Sequence, residues 1–163
     1  MAIRVRDAGC LLLRWGIAFA LIPHGWNKLT NWGYSGTVDN FAQTGTPEPN
    51  VTAAFAMAVE IGAPVLLVLG LLTPLAGAGI VAVMAGGLLT APDHLFAAGG
   101  GLIPWHTAGA ALDQGTGLLD EQWTGASAFL FLLLGLAVLI TGAGRISVDR
   151  RVFQNNRWLA PRE

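Results

Sequence analysis

Four residues that can carry charge stand inside or at the edge of long apolar runs: Arg14, His24, Lys28 and Glu60. A guanidinium, an imidazole, an ammonium and a carboxylate sharing a dry space can hold one another ionised, relay a proton, or hydrogen-bond a polar head group. Helix geometry decides whether they meet. Successive positions turn by about 100°, so Arg14 and Lys28, and likewise His24 and Lys28, share one helix face. Arg14 lies about 9 Å of helix rise inside the inner end of its run. If the next run is antiparallel, Glu60 stands about 12 Å from its own outer end, between the depths of Arg14 and His24. A buried network of Arg14, His24 and Glu60 is therefore expected, which Lys28 can extend.

Blander readings stand beside this one. A polar contact between helices can simply fix their register, for about 1 kcal/mol or less. Trp26 and Lys28 lie where a helix reaches the outer interface, and an indole ring and a snorkelling ammonium are both favourable there. His94 and His106 lie in a Gly-rich stretch without HxxxH or HxxE spacing, so surface positions are expected and no metal site. Cys10 is alone, which excludes a CxxC pair or a disulfide within one chain.

The elements that hold these residues follow from composition. Of 163 residues, 53% are hydrophobic and 12% charged, about half the charged share of an ordinary soluble domain. A net charge of -1 leaves no electrostatic footprint for nucleic acid. The lipid bilayer is the expected solvent. Four apolar segments have the roughly 20-residue length that crosses a hydrocarbon core: about 8–28, 52–72, 75–92 and 123–143. Glu60 is the sole charge between Pro49 and Pro92. Arg4 and Arg6 precede the first span, and Arg145, Arg150, Arg151, Arg157 and Arg162 follow the last, while 29–50 and 91–122 hold no Lys or Arg. Basic flanks are retained on the cytoplasmic side. The expected fold is all-α: one domain over 1–163, an integral membrane four-helix bundle with both termini cytoplasmic and a tail over 144–163. Arg14 interrupts the apolar run that would otherwise pass for a signal peptide, and no small-residue cleavage motif follows.

Small residues recur every fourth position at Ala54, Ala58 and Gly62, and again at Ala78, Ala82 and Gly86, which predicts close helix approach there. "GAGIVA" at 77–82 matches a dinucleotide fingerprint by letter but has no preceding strand, and reads as helix packing. In 29–50, Thr37 is a plausible N-cap and Gly45 a stop for a short surface helix around Val38, Phe41 and Ala42. The 91–122 stretch is a long outer loop, with Trp105 and Trp123 as interface anchors. The tail alternates cations with apolar residues, as suits an anionic leaflet.

Several short motifs in a fixed order add a resemblance: Arg14, "HGWNKL" at 24–29, "FAQTGTP" at 41–47, Glu60 followed by "LLVLGLLTP", and "GAGRISVD" at 142–149. Together they resemble the DoxX family of bacterial membrane proteins over nearly the whole chain. One departure is Pro74, where relatives often carry a basic residue. The resemblance implies a four-helix bundle in the bacterial cytoplasmic membrane and a link to redox roles, among them a subunit of a thiosulfate:quinone oxidoreductase and complexes that detoxify oxidants. Arg14, His24, Lys28 and Glu60 match the family's recurring polar positions, while Cys10 matches none. The chain itself shows no haem ligand pair, flavin motif or cysteine cluster, so an accessory subunit is expected rather than an enzyme. Three functions follow. In the first, the chain anchors a redox complex, and His24 and Glu60 hydrogen-bond a quinone while Arg14 keeps Glu60 ionised. The others are a scaffold that recruits soluble partners and a small transporter. Self-association is compatible with each.

Overall fold

The computed structural model describes residues 5–90 and 125–152. Among them every regular element is helical: α1 (Val5–Asn27), a π-helical turn (Lys28–Trp32), α2 (Gly33–Gln43), α3 (Pro49–Leu69), α4 (Thr73–Thr90), α5 (Gly125–Thr141) and the short α6 (Val148–Val152). Their bounds lie within a few residues of the expected spans. Two of them, α3 with 21 residues and α4 with 18, are long and apolar enough to cross a membrane.

The pattern in α1 shows how such a helix chooses its faces. Cys10, Arg14, Ile17, Leu21, Gly25 and Lys28 are buried, at the three-and-four spacing of one helix stripe. Leu12, Trp15, Phe19, Ile22 and Trp26 are exposed on the opposite stripe. An apolar stripe of that length facing outward is unsuited to water and suited to lipid. Phe55, Val65, Leu133 and Ile140 continue the outward apolar surface on α3 and α5.

Inside, α1 packs on α3, α3 on α4, and α4 on α5. The core joins Ile17, Leu21, Ala63, Leu67, Ile80, Met84, Phe131 and Val138. Helices α4 and α5 cross closely, where a β-carbon on Gly77 would stand 3.0 Å from the Gly135 carbonyl oxygen. Gly77 and Gly79 both sit against neighbouring helices, so "GAGIVA" is a packing motif. The expected ridges are elsewhere, however. Ala54, Ala58 and Ala82 are exposed, and Gly62 and Gly86 have open space where a side chain would go. The internal contacts use Ala53, Ala56 and Ala63 on α3, and Ala76 and Gly77 on α4. A four-residue repeat occurs on several faces of helices this rich in Ala and Gly, and spacing alone does not select the inward one.

Helix α2 begins five residues earlier than expected, with Trp32 rather than Thr37 at its N-cap position. Thr37 lies inside it, buried, with its hydroxyl donating to the Gly33 carbonyl oxygen at 2.9 Å. Threonine satisfies its hydroxyl one turn back as readily as it caps. Gly45 follows the helix with φ +71°, as a stop residue should. His94, His106, Trp105, Trp123 and the distal part of the tail lie outside the described residues.

Candidate functional site

Lys28 and Glu60 form an ion pair in the packed interior, Nζ to Oε1 at 2.6 Å, with side-chain exposures of 9% and 1%. Lys28 reaches it because the stripe of Arg14, Ile17, Leu21 and Gly25 carries on into the first residue of the π-helical turn. A π-helical turn is widened by one residue, a distortion common at functional positions. Lys28 is thus no snorkelling interface residue. A carboxylate 2.6 Å away on the neighbouring helix outweighs the pull of the interface on a charge so placed. Trp26, two positions back and 64% exposed, does face outward.

The pair is enclosed from α2 and α1. The Phe41 ring lies 5.8 Å from Lys28 Nζ, within cation–π range. Gly25 presses on the Glu60 backbone, where a β-carbon would come within 2.7 Å of the carbonyl oxygen. That carbonyl is unusual for a helix interior. Its partner four residues on would be the N–H of Pro64, which proline lacks. Two features of α3 thus coincide at one residue: a side chain that is charged and a backbone oxygen released by proline.

Glu60 Oε1 is taken by Lys28, while Oε2 is buried and accepts no hydrogen bond. Buried carboxylate oxygens are nearly always partnered. His24, one turn before Lys28, sets its ring edge-to-face with Phe131 on α5, centroids 6.1 Å apart. It thereby links the C-terminal part of α1 to the N-terminal half of α5. Among the described residues, no group of three or more His, Cys, Asp or Glu is arranged to hold a metal.

Arg14 belongs to a second centre. Its Nε donates to the Leu67 carbonyl oxygen at 2.8 Å, Nη1 to Ala143 and Ile146 at 2.6 and 2.9 Å, and Nη2 to Val68 at 3.3 Å. The expected link from Arg14 to Glu60 is therefore replaced by a clamp on helix ends. The physical reason is that α3 ends here, where Leu67 and Val68 lie in its final turn at the negative end of the helix dipole, and the non-helical turn between α5 and α6 brings the Ala143 and Ile146 carbonyls beside it. A planar guanidinium with five donors satisfies them together. Leu67 also lies seven residues beyond Glu60, about 10 Å along the helix, too far for one side chain to serve both.

The ends of the quoted motifs meet at this clamp. Gly70 ends α3 with φ +67°, and any β-carbon there would come within 2.5 Å of Arg14 Nη2. Asp149 accepts from the backbone N–H groups of Leu72 and Thr73 at 2.6 and 2.9 Å, capping the start of α4 from a distant part of the chain. Its own N–H donates to the Gly70 carbonyl oxygen at 2.9 Å. Asp7 accepts from the Arg145 N–H at 3.2 Å. "LLVLGLLTP" and "GAGRISVD" are therefore two halves of one knot around Arg14. Composition signalled neither Asp149 nor Gly25; only the motifs containing them did.

A bundle of apolar helices with an outward lipid-facing surface and two buried ionic centres defines an integral membrane protein, and the chain belongs to the DoxX family, whose model matches residues 9–93. It is similar to the inner membrane protein YphA of Escherichia coli (strain K12), 32% identical over 142 residues, covering 86% of this chain and 88% of that one. No solved structure matches.

Proposed function

We propose that this chain is the membrane-anchoring subunit of a redox complex in the bacterial cytoplasmic membrane, a single four-span domain with both termini cytoplasmic. The carrying observation is Glu60, a carboxylate paired through one oxygen and unpartnered at the other. Ionisable groups at such depth are costly and usually serve a substrate, ion or proton path. The set suits the head group of a quinone–quinol couple: Oε2 offers an acceptor to a hydroxyl, Lys28 is a cation beside it, and His24 lies one turn away. A bound quinone would supply two-electron, two-proton chemistry. The chain's own part is to orient the head group, exclude water and present a fixed acceptor. The DoxX-type motifs support the same reading, since redox roles are what the resemblance implies. The clamp around Arg14 fits the anchoring role, because it fixes the chain after α5 to the inner ends of α3 and α4.

Mass spectrometry of the protein purified gently from its native membrane tests this reading. Quinone at about one per chain in wild type, lost in Glu60→Gln, is the expected result. Soluble partners retained by both forms, with quinone in neither, would leave a scaffold. Solute flux in proteoliposomes that Glu60→Gln abolishes would make the chain a transporter.

A further inference from the structure

The two Glu60 oxygens are not equivalent, and their difference bears on which oxidation state of a quinone the site would take. Oε1 is held by Lys28 at 2.6 Å. Oε2 has less than 1 Å² of accessible surface and no hydrogen bond. An ionised carboxylate only accepts hydrogen bonds. Whatever satisfies Oε2 must therefore bring an O–H or N–H. An oxidised quinone presents only carbonyl oxygens, which also only accept, and it would set two electronegative oxygens against each other. A quinol presents hydroxyls.

Resting on the quinone-linked reading above, we infer that the Lys28–Glu60 site selects the reduced, hydroxyl-bearing form of its ligand, with Glu60 Oε2 accepting one quinol O–H. No covalent step is involved, and the proton stays on the ligand oxygen. Gly25 and Pro64 serve as positioning residues in this scheme. Pro64 releases the Glu60 carbonyl from the helix ladder, and Gly25 allows α1, which leads into Lys28, to close on it. A site built to hydrogen-bond a hydroxyl discriminates strongly against an analogue that lacks it, because the buried group is then left unpaired.

Three probes of one shape test the inference on the detergent-solubilised full chain under anaerobic conditions: decylubiquinol, decylubiquinone, and decylubiquinol with both hydroxyls methylated. The quinol is expected to bind at least about tenfold more tightly than either of the others, the worth of one hydrogen bond to a charged acceptor. In Glu60→Gln the amide oxygen keeps Lys28 and an amide N–H, which cannot accept a quinol hydroxyl, takes the place of Oε2, so the tight binding of decylubiquinol should be lost. Equal binding of quinol and quinone to wild type would overturn the selectivity while leaving the quinone-linked reading standing. Binding of none of the three would overturn both. The wild-type comparison decides the matter even if Glu60→Gln fails to fold.

Discussion

Gly25 lies directly on the backbone of Glu60, where a β-carbon would stand 2.7 Å from the carbonyl oxygen and 2.9 Å from the carbonyl carbon. Neither neighbour is a flexible side-chain end, so nothing yields cheaply. The approach of α1 to α3, and with it the reach of Lys28 to Glu60, depends on the absence of that carbon.

Gly25→Ala should accordingly destabilise the protein by about 1–3 kcal/mol, the usual range for overpacking. Gly16, on the same helix, has nothing within 4 Å of where its β-carbon would be. Gly16→Ala should be neutral or stabilising by up to about 1 kcal/mol through helix propensity. Thermal unfolding in detergent of the two variants side by side checks this, and an equal loss in both would refute the contact argument.

Arg14→Met should cost about 3 kcal/mol or more, since it strands carbonyls from two distant segments in the interior. Arg14→Lys keeps the charge but not the planar fork, and should recover only part of the loss. The loss has a location. Amide hydrogen exchange should rise around Ser147 and Asp149 in Arg14→Met more than around Met57, which lies on the far side of Glu60 from the clamp. Uniform acceleration would point to global destabilisation instead.

The Lys28–Glu60 pair should behave as a coupled unit. Lys28→Met alone leaves a buried carboxylate unpaired, and Glu60→Leu alone leaves a buried ammonium; each should cost about 3–5 kcal/mol. Made together, they should cost less than either one, because an apolar pair replaces the ionic pair without stranding a charge. A double-mutant cycle on unfolding free energies measures the coupling, and additive losses would show that the pair contributes little as a pair.

The apolar frame was legible because helix length and hydropathy are local properties: α1, α3, α4 and α5 each announce themselves within their own residues. The polar centres were half legible. Arg14, Lys28 and Glu60 stand out as charges in oil, and the shared face of Arg14 and Lys28 follows from their spacing. What spacing along one helix leaves open is which carbonyls and carboxylates from other helices arrive opposite each charge. A carboxylate is the obvious partner for a guanidinium, which makes Glu60 the expected partner of Arg14. Carbonyls at helix ends are equally good partners, but they are contributed by every residue type and leave no mark in composition. Lys28 admits two readings in the sequence, an interface position from its place at the end of an apolar run and a member of the buried network from the face it shares with Arg14 and His24. The ion pair with Glu60 follows the second. The inward faces of α3 and α4 were harder still, since alanine and glycine occur on all sides of both.

The Arg14 clamp also sets an order of events during synthesis. Its partners at Leu67 and Val68 follow within 54 residues, but those at Ala143 and Ile146 come 129 and 132 residues later. A nascent chain inserted from its N-terminus therefore carries a half-satisfied guanidinium in its first helix until the segment with Ala143 and Ile146 has been made. The guanidinium is fully satisfied only when the turn after α5 has joined the first and third helices, so the two ends of the described chain are tied through one side chain.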